Sequence, residues 1–201
     1  VLVEAKGQLQ TDGSIDATVI EVKRSSNFTS LNRLTSVNAG GYQTESSPEA
    51  IIASFGSNLA TAPANATSLP LPTSLGGVSV LVDSKPAQLF YVSPTQINYL
   101  VPPGATLGTA KVEVVRGAQV LAQGAITLPG VSPSFFAANS DGKGVPAGYI
   151  TRVKADNTLS NEPINRYDSA QGKFVAVPIV KKAGQTLFLI LYGTGFRTAP
   201  E

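Results

Sequence analysis

The chain contains no cysteine, no histidine and no methionine, and it has little charge of either sign. Without cysteine there can be no disulfide, no thiolate nucleophile and no cysteine-held cluster. Without histidine there is no imidazole base, so the usual zinc sites and the Ser-His-Asp triad are excluded. The lack of methionine leads us to expect that Val1 is a processed end or the start of an excerpt. Charged residues make up only 14% of the 201, against a usual quarter, and fifteen basic and thirteen acidic residues leave a net charge of +2. That balance is too weak and too dispersed for a nucleic-acid footprint. No apolar run approaches the roughly twenty residues that a membrane helix needs, so membrane insertion is not expected either.

What is present points to strands. The apolar fraction is 42%, and nineteen glycines and fourteen prolines punctuate a chain in which Thr, Ser and Val are prominent. Such a composition favours many short strands joined by turns. The length suits one or two domains with a real core. A charge-poor, Thr/Ser/Gly/Asn-rich chain without oxidisable sulfur also fits a secreted or surface location.

The organising stretch is Leu75–Pro103. Val78, Val80 and Val82 alternate with Ser79 and Asp83, the period of a half-buried strand. Asp83–Pro86 carries turn chemistry, and Ala87, Leu89 and Tyr91 then alternate with Gln88, Phe90 and Val92. Ser93-Pro94 breaks that run, and Ile97, Tyr99 and Val101 resume it. Three strands so closely spaced are expected to form one antiparallel sheet covered by a second layer.

Around this stretch, Val1–Lys23 reads as a hairpin reversing at Thr11-Asp12-Gly13, and Arg24–Asn38 as a linker in which Phe28, Leu31 and Leu34 dock on a neighbour. Ser47-Pro48 has helix-start character, but Ile51, Ile52 and Phe55 run straight into Gly56, so a strand is expected there. Thr61–Ser74 is a long loop. Thr109–Arg116 and Val120–Leu128 form a hairpin around Gly117. Further on, Tyr149–Ala155, Ile164–Tyr167 and Lys173–Ile179 are strand candidates. The most continuous apolar run is Leu187–Tyr192, LFLILY, followed by Gly193-Thr194-Gly195-Phe196. It repeats Ile51–Ala60: an apolar strand, an aromatic, Gly, Ser or Thr, a small residue and a large apolar one. Repeats of this kind mark repeated supersecondary units.

Candidate chemistry is sparse. Ser140-Asp141-Gly142-Lys143 matches a bare S-x-x-K, but its glycines make it a turn and no companion motif accompanies it. Asn139-x-Asp141-Gly142 and Asp12-x-Ser14-x-Asp16 resemble pieces of calcium loops without the downstream Glu. Gly193-x-Gly195 lacks the third glycine and the helix of a dinucleotide site. Asn27-Phe28-Thr29 and Asn65-Ala66-Thr67 are formal glycosylation acceptors. Gln96 and Asn98, amides among aromatics, have the character of a sugar site, although satisfying backbone groups at the Ser93–Thr95 corner is the simpler role. An enzyme would need a carboxylate pair, such as Asp141 with Asp156 or Glu162, converging in a cleft. No catalytic residue, metal or cofactor is expected.

The segments SVNAGGY, PEAIIASFGSNLA, LPTSLGGVSVLVDSKPAQLFYVSPTQINYLVPPGA, FFAANSDGKGVPAGYITRV, FVAVPI and LFLILYGTGFR, spanning Ser36 to Arg197, resemble the Solibacter-type C-terminal domain, an uncharacterised module of secreted acidobacterial proteins. VEAKGQLQTDGSIDATVIEVK is similar to the last hairpin of a small bacterial β-barrel domain. The first resemblance implies an extracellular, immunoglobulin-like architecture at the end of a larger protein, and it brings no catalytic residues. Members of that family continue past the GTGFR segment with a further strand set, so the resemblances imply that both ends of this chain are parts of larger folds.

The expectation is therefore an all-β protein: an immunoglobulin-like β-sandwich with an additional β-rich segment and orphan terminal strands. The divisions are a hairpin and linker at 1–30, the sandwich at 31–130, and a β-rich segment at 131–201 that ends in the first strand of a second sandwich. The expected interface is Leu187, Phe188, Leu189, Ile190, Leu191 and Tyr192, with Val1 and Val3 of the first hairpin. The functional expectation is a secreted structural module that self-associates or joins a neighbouring β-domain, as a filament subunit completed by strand exchange. A cell-surface adhesin or carbohydrate-binding module, using Thr61–Ser74 and Asn139–Pro146 against a glycan, is the second reading.

Overall fold

Runs of period-two alternation become strands, and the computed structural model, which describes residues 2–9, 11, 15–23 and 31–197, is all-β. The chain divides into two compact units, Val1–Leu31 and Asn32–Glu201. The first unit is the expected hairpin. Strand β1 (Leu2–Leu9) pairs antiparallel with β2 (Ile15–Lys23), with Leu9 opposite Ile15, Val3 opposite Val22, and a register shift between Lys6 and Gly7. Val1, Asp12, Gly13, Ser14 and the Asn27-Phe28-Thr29 motif lie outside the described residues.

In the second unit, the last residues of the stretch assigned as a linker form two short strands, β3 (Asn32–Arg33) and β4 (Thr35–Asn38). They belong to different sheets: β3 runs parallel to β12 (Gln119–Leu128), while β4 pairs with β5 (Ile51–Phe55). Leu34, between them, is buried as expected, whereas Leu31 is exposed. The crossing is possible because position 124 is glycine. The Leu34 amide donates to the Gln123 carbonyl at 2.9 Å, and a Cβ on Gly124 would lie 2.1 Å from the Leu34 carbonyl oxygen.

The central stretch does not form one sheet. After β6 (Ala64–Asn65), β7 (Ser79–Val82) and β8 (Lys85–Pro86) lie in one sheet, and β9 (Gln88–Val92) and β10 (Gln96–Leu100) in the other. The chain changes layer at Ala87, and the reason is burial. Val80 and Val82 align with Val114 and Val112 of β11 (Gly108–Arg116), which pairs in turn with β12. Leu89, Ile97, Tyr99 and Ile52 need the same dry interior, and two facing layers bury both sets at once. The sheets run β4-β5-β10-β9-β6 and β3-β12-β11-β7-β8, a two-layer sandwich whose core, among the described residues, is built from side chains between Leu34 and Leu128. The alternation assigned to β9 also changes phase. A bulge at Phe90–Tyr91 opposes Tyr91 to Asn98 and Leu89 to Tyr99, so that Val92, not Tyr91, is fully buried.

Residues beyond 130 form smaller sheets. β13 (Ser134–Phe135) pairs with β19 (Gly193–Thr194), and β14 (Gly148–Val153) lies between β15 (Leu159–Pro163) and β18 (Thr186–Leu191). β16 (Asn165–Asp168) pairs with β17 (Lys173–Ala176). β15, LSNEP, carries no alternating apolar signal and was legible only through its partner. In this region Ile150 and Ile164 are the buried large apolar residues among those described.

Among the described residues, the sandwich core holds one incompletely satisfied polar side-chain group. Tyr99 is wholly buried, and its hydroxyl adjoins Ser36 and Ser54, which bond to each other at 2.7 Å, yet it makes no well-formed hydrogen bond itself. Burial pushes its phenol up to about 12, an effect those two hydroxyls only partly oppose.

Two outcomes are expected. Gly124→Ala should lower stability by about 1–3 kcal/mol in chemical denaturation, because the backbone it meets cannot yield. An unfolded tyrosine releases its proton near pH 10, while folded Tyr99 keeps it to about 12. The contribution is thus intact below pH 10, and stability should fall by about 2–3 kcal/mol as pH rises through that window. Tyr99→Phe should abolish this component and change stability at neutral pH by less than about 1 kcal/mol; equal alkaline loss in both chains would refute the assignment.

Candidate functional site

The expected interface strand is half satisfied. β18 pairs antiparallel with β14, Leu189 opposite Ile150 and Leu187 opposite Arg152, so one edge is completed within the chain. No strand among the described residues pairs with its other edge. Its side chains are poorly covered on both faces: Phe188 and Tyr192 on one, Leu189 on the other, are each more than half exposed. The internal repeat makes the contrast direct. Aligning Phe55-Gly56 with Tyr192-Gly193 puts Ile52 level with Leu189, and Ile52 is 0% exposed where Leu189 is 55%. β5 has strands on both sides, β4 and β10, whereas β18 has one.

The Gly193-Thr194-Gly195 segment serves packing. A Cβ at Gly193 would lie 2.6 Å from the Ser134 carbonyl oxygen, and at Gly195, with φ +78°, 2.3 Å from that of Ser132. Thr194 Oγ1 accepts from the Ile51 amide at 2.7 Å, so the second copy of the repeat caps the first.

Arg152 was not singled out from the sequence, yet it holds the outer sheet together. It is nearly buried, and its guanidinium donates to both Glu162 carboxylate oxygens, Nε to Oε1 at 2.6 Å and Nη2 to Oε2 at 2.9 Å. Its Nη1 donates to the Val180 carbonyl at 3.1 Å and to Gln185 Oε1 at 2.7 Å. One side chain thereby links β14, β15 and the approach to β18. The bond to Arg152 holds the Glu162 carboxyl below its ordinary range, and Glu162 in turn raises Arg152.

A cleft of about 570 Å³ opens between the outer face of β5 and β10 and the segment at 136–147. Register puts Gln96 and Asn98 on that outer face, because Ile97 and Tyr99 point into the core. The amides do not serve the Ser93–Thr95 corner. The Ser93 hydroxyl takes that role, accepting from the Gln96 amide at 2.9 Å and the Thr95 amide at 3.3 Å and donating to the Gln96 carbonyl at 3.0 Å. Gln96 Nε2 instead donates to Asn98 Oδ1 at 2.8 Å. Tyr42, Phe90 and Phe136 supply aromatic walls, and among the described residues no charged one lines the cleft. Tyr42 and Ser140 both adopt left-handed backbone, with φ of 56° and 55°, and the Tyr42 hydroxyl donates to the Ser140 carbonyl at 2.8 Å.

The remaining motifs resolve into local structure. Ser140–Lys143 is a turn in which Asp141 Oδ1 accepts from the Lys143 amide at 2.9 Å. Asn139 brackets the Phe174 backbone, Oδ1 accepting from its amide at 2.7 Å and Nδ2 donating to its carbonyl at 3.2 Å. Asp156 accepts from the Thr158 hydroxyl at 2.7 Å and amide at 3.0 Å, which lowers its carboxyl. Among the described residues no group of three acidic side chains is placed to hold a metal ion, and no helix is long and apolar enough to cross a membrane.

No family model matches the chain, and a search of the curated proteins finds no match. Among solved structures, an auxiliary nutrient binding protein from Bacteroides ovatus is similar over 63% of this chain and 24% of its own, at 15% identity and a TM-score of 0.33. The chain therefore spans about a quarter of that protein's length.

Because the folded Glu162 carboxyl lies below its unfolded value of 4.5, the Arg152–Glu162 pair contributes fully above that range. Its contribution is lost as pH falls through the folded value. Glu162→Gln should be less stable at neutral pH and should lose less stability on acidification. Urea midpoints that track the parent chain's acid limb would count against the pairing.

Proposed function

We propose that this chain is a secreted, non-enzymatic assembly module of immunoglobulin-like type, which completes its outer sheet with a strand from another copy. The observation that supports the reading is the free apolar edge of β18, beside the buried edge-to-edge pairing of the equivalent residues in β5. An unpaired row of backbone groups flanked by Phe188, Leu189 and Tyr192 is a template for strand addition. Burying each large side chain contributes on the order of 1.5–3 kcal/mol, which favours occupancy of the edge. The hairpin β1–β2, with Val3 in its first strand, supplies the complementary edge. Because donor and acceptor are then different surfaces, the contact is heterologous and propagates as a filament. The resemblance to the Solibacter-type domain supports an extracellular setting.

The 201-residue chain should self-associate with increasing concentration in light scattering and give linear particles by electron microscopy. Leu189→Lys, which puts a charge at the edge, should weaken association by at least about tenfold, as should Val3→Lys. A monodisperse monomer of the parent chain at every concentration would overturn the proposal.

A further inference from the structure

We infer that the cleft over β5 and β10 binds a neutral saccharide, held against Tyr42, Phe90 and Phe136 and hydrogen-bonded by the paired amides of Gln96 and Asn98. The volume of about 570 Å³ lies within the range of small-ligand sites and accommodates a sugar ring with part of its neighbours. The lining is uncharged, which disfavours phosphates, carboxylates and cations and suits a ligand whose polarity is all hydroxyl. A sugar ring presents apolar C–H patches beside hydroxyls that both donate and accept. Aromatic walls match the patches, and amides match the hydroxyls.

The amide pair is held ready for this. One bond, Gln96 Nε2 to Asn98 Oδ1, fixes the two side chains relative to each other. Gln96 Oε1 and Asn98 Nδ2 have no partner among the described residues, leaving an acceptor and a donor side by side. Exchanging the nitrogen and oxygen of both amides preserves one free donor and one free acceptor. The corner that would otherwise occupy these groups is satisfied by the Ser93 hydroxyl. The rim is also tightly specified. Two non-glycine residues in left-handed backbone, Tyr42 and Ser140, face the cleft and are bonded to each other. A Cβ on Gly142 would lie 2.8 Å from the Gly41 carbonyl carbon, so the two rim loops are in close contact. Strained backbone kept at a cleft is a common mark of ligand-binding geometry.

The inference is tested by titrating the intact chain with neutral tetrasaccharides of glucose, xylose and mannose, followed by calorimetry and saturation-transfer NMR. Binding to at least one is expected. Asn98→Ala and Gln96→Ala, outward positions on β10, should each weaken it by at least about tenfold while retaining the parent's thermal midpoint. Phe136→Ala should weaken it as well, and Tyr167→Ala, an exposed aromatic on β16, should not. The inference fails if none of the three sugars binds at about millimolar concentration, or if binding survives both amide substitutions. Leu189→Lys leaves the cleft untouched, so saccharide binding retained in that chain separates this site from the assembly edge.

Discussion

Burial of two facing apolar surfaces is the constraint from which the sandwich follows. Val80, Val82, Val112 and Val114 on one layer and Ile52, Leu89, Ile97 and Tyr99 on the other close a single dry interior. A one-residue slip in any of these strands would turn its buried set to water, so register is fixed wherever that interior reaches. The bulge at Phe90–Tyr91 is tolerated because it keeps Leu89 and Val92 inward, and the layer change at Ala87 occurs because valines and aromatics alike must reach the core. With the inner faces committed, the outer face of β5 and β10 is free of packing demands. That freedom lets polar amides stand at 96 and 98 in the middle of a sheet.

The region beyond residue 130 is held by different physics. Several of its large apolar side chains are more than half exposed, among them Leu159, Tyr167, Val180, Phe188, Leu189 and Tyr192. It is anchored by backbone pairing of β13 with β19, by the Arg152 guanidinium on Glu162, Val180 and Gln185, and by the Asn139 amide on Phe174. These contacts set position strongly and exclude little water. The same sequence pattern thus has two fates. In β5 it is a central strand with Ile52 sealed, and in β18 it is an edge with Leu189 in solvent. The difference lies in the number of neighbours, not in the strand itself.

Strand identity was legible wherever alternation met a turn residue, as in β7, β10, β11 and β12. Sheet membership was not, because period-two patterning says which face is apolar but not which layer that face joins. The linker assignment failed over residues 32–38 for a related reason: β3 and β4 are two and four residues long, and the feature that permits their crossing is an absent Cβ at Gly124, far away in sequence. The apolar edge strand was legible as such from LFLILY. Arg152 was hidden because a single arginine in a strand carries no periodic signal, and its value arises only when Glu162, Val180 and Gln185 are brought around it. The amides at 96 and 98 were noticed, but the hydroxyl that frees them, Ser93, was not.

The free edge and the cleft also share structural members. Tyr192, immediately after β18, donates its amide to the Ala147 carbonyl at 3.0 Å and accepts from the Phe136 amide at 2.9 Å. Ala147 in turn donates to the Phe136 carbonyl at 2.7 Å, and both Phe136 and Ala147 line the cleft. Thr194, two residues further, bonds the Ile51 amide on the cleft's other wall. The wall that faces β5 and β10 is therefore an extension of the strand whose far edge is open. Few buried apolar contacts stabilise that wall, so its order rests largely on these backbone bonds.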